Sequence, residues 1–205
     1  MAYTDTYKTI NAPAEGLYKE KGSKFIAFAF PVSGEQQIKE LIQKVKKEHH
    51  SARHHCFAWR LGADHQLFRL NDDGEPSGTA GRPILGQIQQ NDLTDVVVIV
   101  VRYFGGILLG TSGLTNAYKQ ATSEVLNNAV KIEKIVESVI HINFDYLAMN
   151  DLMTVLKEYE LETRESNYDL CCQIKVLVRK DLVLTVMGKL GKIDNLEAKI
   201  IADNL

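Results

Sequence analysis

The chain reads as an α+β protein in two domains, and three observations lead there. The β-branched run Thr94 to Val101 shows no alternation, which marks a strand covered on both faces. Apolar stripes at helical spacing recur between short strand-like segments. The last third runs in the order β-α-β-β-α-β, the split-βαβ or ferredoxin-like arrangement. The expected division is a mixed sheet with helices packed against it in residues 1–132, and a ferredoxin-like sheet with two helices in residues 135–205.

Residues 24–32 are apolar and aromatic-rich, a strand in which Phe28 and Phe30 share a face with Ile26 while Phe25 points the other way. Pro31 ends that strand or places it at an edge. Ile38, Leu41, Ile42 and Val45 then make a helical stripe that stops near His49 and His50. His54 to Leu61 and Gln66 to Leu70 are two strands joined at Gly62-Ala63-Asp64. Pro83 to Gln90 suits a short helix with proline in its first turn. After the Thr94 strand, Thr111 or Ser112 can cap a helix whose buried stripe is Leu114, Ala117, Tyr118, Ala121 and Val125. Lys131 to Lys134 is short and polar, a junction. Beyond it come a strand at Val136–Phe144, a helix around Leu152, Val155, Leu156 and Tyr159, and strands at Leu161–Asn167 and Asp169–Val178. A helix around Val183, Val186, Met187 and Leu190, closed by Gly191, and a strand at Ala198–Ala202 complete the order.

Composition narrows the class. With 205 residues, 45% hydrophobic and 24% charged, the chain is an ordinary globular one. Its longest apolar run, Val96 to Val101, is far below the ~18 to 20 residues of a membrane helix. Met1 to Tyr7 has neither a basic nor an apolar segment, so no signal peptide is expected. The cysteines are Cys56, Cys171 and Cys172, an odd number with two adjacent, which is no disulfide framework and points to a reducing cytoplasm. No Cys-x-x-Cys pair exists to build a structural zinc site. A net charge of −2 speaks against a whole-surface polyanion binder and leaves room for a local basic patch.

Two dense stretches carry the chemistry. The first, Asp72 to Pro83, packs carboxylates, glycines, prolines and hydroxyls into an irregular backbone. Asp72, Asp73 and Glu75 could ligate a hard cation, or Ser77, Gly78, Thr79 and the amides before Pro83 could hold a phosphate at a helix start. Tight-turn chemistry explains the same residues without any ligand. The second stretch, Arg102 to Gly113, places Arg102 at the end of a buried strand, where it can grip an anion bidentately or fasten the acidic loop. Tyr103 and Phe104 could stack on a base. Gly105, Gly106, Gly110, Thr111 and Ser112 flank a helix start whose free amides attract a phosphate oxygen. On the His54 strand, His54 and Cys56 share one face and His55 takes the other, so Cys56 is expected in the core. Lys44, Lys46, Lys47, His49, His50 and Arg53 form a basic cluster in which Glu40 and Glu48 are interspersed, the pattern of a solvated helix face.

The run Gly81-x-x-Ile84-Leu85-x-x-Ile88, then Leu93, then Ile99-Val100-x-Arg102-Tyr103-Phe104-Gly105-Gly106-x-x-Leu109-Gly110 resembles the pattern of the IMPACT family, whose bacterial members form the YigZ group. The acidic loop and Arg53-His54-His55-Cys56 resemble it too. The resemblance implies an N-terminal domain similar to domain IV of elongation factor G and to a ribosomal protein domain, and a C-terminal domain similar to domain V of that factor. Eukaryotic relatives regulate translation initiation by competing for a ribosome-associated activator of a starvation-responsive kinase. They use an extra N-terminal recognition domain that this sequence does not carry, so the kinase-pathway role is not expected of it.

The leading expectation is a cytoplasmic, translation-associated binding protein that engages RNA or the ribosome. Ser77, Gly78, Thr79, Arg102, Tyr103, Gly105, Gly106, Gly110, Thr111 and Ser112 would form its anion-binding surface. The alternative is an enzyme acting on a phosphorylated or nucleotide-like small molecule, metal-assisted or not, with His54, His55, Asp72, Asp73 and Glu75 as candidate acids, bases or ligands. No cofactor, dedicated metal site or membrane partner is expected.

Overall fold

A computed structural model of the chain describes residues 5–168 and 172–202. Cys171 and the start of the strand expected from Asp169 lie outside the described residues. Residues 7–134 form one compact unit, and the residues from 135 onward, with Asp5 and Thr6, form another.

The first unit contains strands β1 (Thr6–Ile10), β2 (Ala14–Glu20) and β3 (Ser23–Pro31), helix α1 (Glu35–Glu48), strands β4 (His54–Leu61) and β5 (Leu67–Asn71), helix α2 (Gly81–Gln90), strand β6 (Val96–Tyr103), helix α3 (Gly110–Asn128) and strand β7 (Lys131–Ile135). Five strands make a sheet in the order β2-β3-β6-β4-β5. All four neighbouring pairs are antiparallel, which corrects the expected mixed sheet. The apolar run in β6 reports burial on both faces. Helices on both sides provide that burial for an antiparallel sheet as well as for a parallel one.

Strand alternation sorts the side chains onto two faces. Ile38 and Val45 of α1 pack with Phe28, Trp59, Val97, Ile99 and Val101 on one face. On the other, Ile84 and Ile88 of α2 and Leu114, Ala117, Tyr118, Ala121 and Val125 of α3 pack with Phe25, Ala27, Cys56, Val98 and Val100. The stripes expected for α1 and α3 are therefore the buried ones. The sequence carries no expectation for β1 and β2, and for Lys131–Lys134 it predicts a junction. In the structure β7 is a strand paired with β1. Its side chains are mostly exposed, so no apolar alternation marks it.

The second unit contains β8 (Glu137–Phe144), α4 (Met149–Glu158), β9 (Glu162–Tyr168), β10 (Cys172–Arg179), α5 (Val183–Leu190) and β11 (Leu196–Ala202). The sheet order β11-β8-β10-β9, antiparallel throughout, is the ferredoxin-like one. Ile140, Ile142, Val176 and Val178 pack against Leu152, Val186 and Leu190. Among the described residues no helix is long and apolar enough to cross a membrane.

Close approach of β2 to α3 depends on Gly16. A Cβ there would lie 2.7 Å from the backbone nitrogen of Val125 and 2.9 Å from its Cα. Gly16→Ala is expected to cost about 1–3 kcal/mol through this clash. A lower urea midpoint with an unchanged m-value would register it, and an unchanged midpoint would contradict the packing.

Candidate functional site

The site forms where β6 ends and the antiparallel strands β3 and β4 begin. Antiparallel register sets Arg102 opposite both Phe25 and His54, so the three side chains form one row on the α2/α3 face. The neighbouring residues His55 and Tyr103 point to the α1 face. There the Tyr103 hydroxyl bonds His49 Nδ1 at 2.9 Å and His55 Nε2 donates to the His49 carbonyl at 3.1 Å. This corrects the assignment of Tyr103 to the surface around Arg102. The reason is the two-residue period of a strand.

The acidic loop closes over this row, and its carboxylates are each committed. Asp72 Oδ1 accepts the amides of Ala80 (3.0 Å) and Gly81 (2.8 Å), and Oδ2 accepts that of Gly78 (2.9 Å). The Thr79 amide and hydroxyl both donate to the Pro76 carbonyl, at 3.0 and 2.7 Å. The amides expected to cradle an external phosphate thus serve internal acceptors, the Asp72 carboxylate for Gly78, Ala80 and Gly81 and the Pro76 carbonyl for Thr79, which corrects Gly78 and Thr79 as anion ligands. A carboxylate tethered a few residues away outcompetes a free anion because its encounter is intramolecular. Ser77 lies exposed on the loop and is not among the residues lining the cleft.

Asp73 Oδ2 accepts the His55 amide at 2.8 Å and Oδ1 accepts Lys46 Nζ at 3.1 Å, which ties the loop to β4 and α1. Lys46 is the member of the basic cluster spent on this internal contact, whereas Lys44, Lys47, His50 and Arg53 are exposed. Glu75 is buried, and its Oε1 accepts both Arg102 Nη1 (2.7 Å) and the Tyr118 hydroxyl (2.8 Å). The three acids therefore point at separate partners and make no shared cation cage. Among the described residues no three His, Cys, Asp or Glu side chains converge as metal ligands.

Cys56 is a buried thiol with Sγ 3.0 Å from the Asp72 carbonyl and 3.3 Å from the Tyr118 hydroxyl. Burial pushes its pKa far up, further than the Tyr118 hydrogen bond pulls it down, so it stays a thiol. Burial, with Cys56 and Glu75 alongside, likewise holds Tyr118 protonated and donating. Sequence reading placed Tyr118 only in an apolar stripe. Its signal was the polar tip of a buried tyrosine, which needs a partner.

Arg102 is 6% exposed, yet its guanidinium is underused. Cζ lies 5.5 Å from the ring centroid of Phe25 and 5.6 Å from that of Phe104. Nη1 is bound to Glu75, while Nε is buried with no hydrogen-bond partner among the described residues. A guanidinium has five N–H donors, so most of its capacity is unspent. Beside it, His54 Nδ1 lies 2.9 Å from the Asp73 carbonyl. A carbonyl only accepts, so Nδ1 carries the proton. Nε2 is the ring nitrogen the loop leaves unengaged, 4.0 Å from Glu75 Oε1.

A cleft of ≈ 490 Å³ opens here, lined by Arg53, His54, Glu75 and Arg102 together with Pro76, Phe104, the leucines 108, 109 and 114, and Gly74, Gly110 and Thr111. The two dense stretches therefore meet at one place. Helix α3 starts at Gly110 with Leu109 as its N-cap and no side-chain cap bond, so neither Thr111 nor Ser112 caps it as expected. Both hydroxyls fall inside the first turn because the helix begins before them. Gly105 serves packing: a Cβ there would come within 1.9 Å of the Gly22 carbonyl carbon, and its amide donates to Ser23 Oγ at 3.2 Å. Gly106 and Ser112 do not line the cleft. Of the six candidate polar residues, His54, Glu75 and Arg102 converge, while His55, Asp72 and Asp73 brace the loop.

The fold and this cleft define a two-unit α+β protein with a partly paired arginine at the floor of a ligand-sized cleft. Residues 21–126 match the family model of the Impact N-terminal domain, and the chain belongs to the IMPACT family. It is similar to IMPACT family member YvyE of Bacillus subtilis (strain 168), 38% identical over 163 residues, or 80% of this chain and 75% of that protein. It is also similar to IMPACT family member YigZ of Escherichia coli (strain K12), 31% identical over 193 residues, or 93% of this chain and 95% of that one. A crystal structure of a hypothetical protein superposes with TM-score 0.73 at 30% identity, covering 97% of this chain and 98% of that chain.

Burial raises the Asp72 pKa, but the amides of Gly78, Gly81 and Ala80 and the charge of Arg82 outweigh it and leave it below the ordinary 3.8. A depressed native pKa stabilises the fold above the unfolded-state value and loses that contribution as pH falls through the native one. Asp72→Asn is expected to cost about 1.5–3 kcal/mol at pH 7. The gap to the parent should close as the pH falls below 3.8. Denaturant unfolding at several pH values measures it, and a gap that stays constant into acid would refute the role of the charge.

Proposed function

We propose that this chain is a cytoplasmic, translation-associated regulatory protein whose first unit engages RNA, on the ribosome or free, at the cleft beneath the acidic loop. One observation carries the reading. A buried guanidinium, with only Nη1 bonded to Glu75, lines a cleft that also receives the uncapped start of α3. Guanidinium donors left over from such a pair can bond an incoming anion. Arg53 at the rim adds a second positive charge. The translation context is supported by membership of the IMPACT family.

His54 favours a second reading, an enzyme acting on a phosphorylated small molecule, because it lines the cleft with only Nδ1 engaged by the loop. The binding reading ranks first. Glu75 is held by Arg102 and Tyr118, and Asp72 and Asp73 serve the loop, so His54 has no second acid or base free to complete a proton-transfer pair.

Sedimentation with ribosomal particles tests the proposal. The chain is expected to co-sediment at low salt and to be released as salt rises, because phosphate contacts are lost to counterions. Arg53→Glu, at an exposed position, should weaken association by about tenfold or more while leaving the melting temperature unchanged. Absence of co-sedimentation, or association indifferent to both salt and Arg53→Glu, would overturn it.

A further inference from the structure

We infer that the cleft binds one nucleoside 5′-monophosphate unit, with its base against Phe104 and the leucine wall and its phosphate on Arg102 and the start of α3. This rests on the RNA reading above and names the piece of RNA the site takes.

Size comes first. The cleft holds ≈ 490 Å³, within the ~300–1,000 Å³ of small-ligand sites. A double helix cannot enter such a space, and an unpaired nucleotide turned out of its strand can. The walls suit a base. Leu109 is half-buried and Leu114 is buried, Pro76 closes one side, and Leu108 projects with 84% exposure. Phe104 is 45% exposed even though the Arg102 guanidinium lies beside its ring. A large apolar ring held by a buried cation and still open to solvent is a stacking platform, the device by which single strands are bound regardless of sequence.

The floor suits a phosphate. A guanidinium holds phosphate through the N–H donors that solvent can reach. In Arg102, Glu75 takes Nη1 and Nε is shut off from solvent, so a phosphate meets the guanidinium at the edge by which Arg102 lines the cleft. The first amides of α3 have no intrahelical acceptor, and no side chain caps them. Gly110 and Thr111, which carry two of these amides, line the same cleft as Arg102. Charge agrees with this assignment. Two arginines, Arg53 and Arg102, stand against the one carboxylate of Glu75, which leaves a net positive charge for a phosphodiester.

The test titrates the full chain with AMP, GMP, CMP and UMP, with adenosine, and with inorganic phosphate by calorimetry. A labelled single-stranded RNA of about ten nucleotides is followed by anisotropy. The mononucleotides are expected to bind at least about tenfold tighter than adenosine or phosphate alone, since base and phosphate are each half of the site. Phe104→Ala should weaken mononucleotide and RNA by ~5- to 100-fold. Arg102→Lys keeps a cation on Glu75 but removes the guanidinium's further donors. If folded by circular dichroism, it should lose the preference for mononucleotide over nucleoside. Mononucleotide binding that RNA fails to displace upholds the site and identifies free nucleotide as its ligand, against the RNA reading. RNA binding that neither mononucleotides nor Phe104→Ala disturb overturns the inference and leaves the RNA reading in force elsewhere on the chain. Absence of mononucleotide binding at millimolar concentration overturns it outright.

Discussion

A positive charge buried at the end of a sheet shapes the N-terminal unit. Arg102 follows six aliphatic residues in the central strand of the five-stranded sheet, is 6% exposed and lines the cleft. Burying an unpaired charge is prohibitive, and removing one partner of a buried pair typically costs 3–5 kcal/mol. Glu75 must therefore be brought to Arg102, and the irregular path from Asp72 to Gly81 is the means. The Tyr118 hydroxyl shares Oε1 with Arg102, which links the loop to α3. Loop, strand end and helix thus meet on one carboxylate oxygen.

That demand explains why the loop is so rich in acids and glycines. Asp72 turns the chain by gathering three amides, Asp73 clips it to β4 and α1, and Glu75 descends to the arginine. Each acid has a different task, although side by side in the sequence they suggest a single cation site. The division also concentrates what binding capacity remains. With the loop amides spent, the donors left at the cleft are those of Arg102 and Arg53 and the first amides of α3. A small cleft with apolar walls and a cationic floor results, in place of an extended basic surface, which fits a net charge of −2.

Periodicity made the helices and most strands legible before any coordinates. Ile38, Leu41, Ile42 and Val45, the alternation around Phe25 and Phe28, and the unbroken Val96–Val101 run each report a local burial pattern, and local burial is what residue spacing records. The same alternation correctly separated His54 and Cys56 from His55. Strands that lack an apolar face, β7 above all, left no such trace. The direction of the central sheet was equally invisible, because a strand buried on both sides reads alike in either orientation.

Spacing alone established the two dense stretches, the ferredoxin-like order of the last third and the kinds of group available for chemistry. Partner choice belongs to the folded chain. Nothing local could assign Glu75 to Arg102, Asp72 to the amides of Gly78, Ala80 and Gly81, or Tyr103 to His49, since these pairs depend on register and on where a loop comes back. The physical reason is range: propensity and periodicity act over a few residues, whereas a buried charge selects its counter-charge from whatever the tertiary fold carries to it.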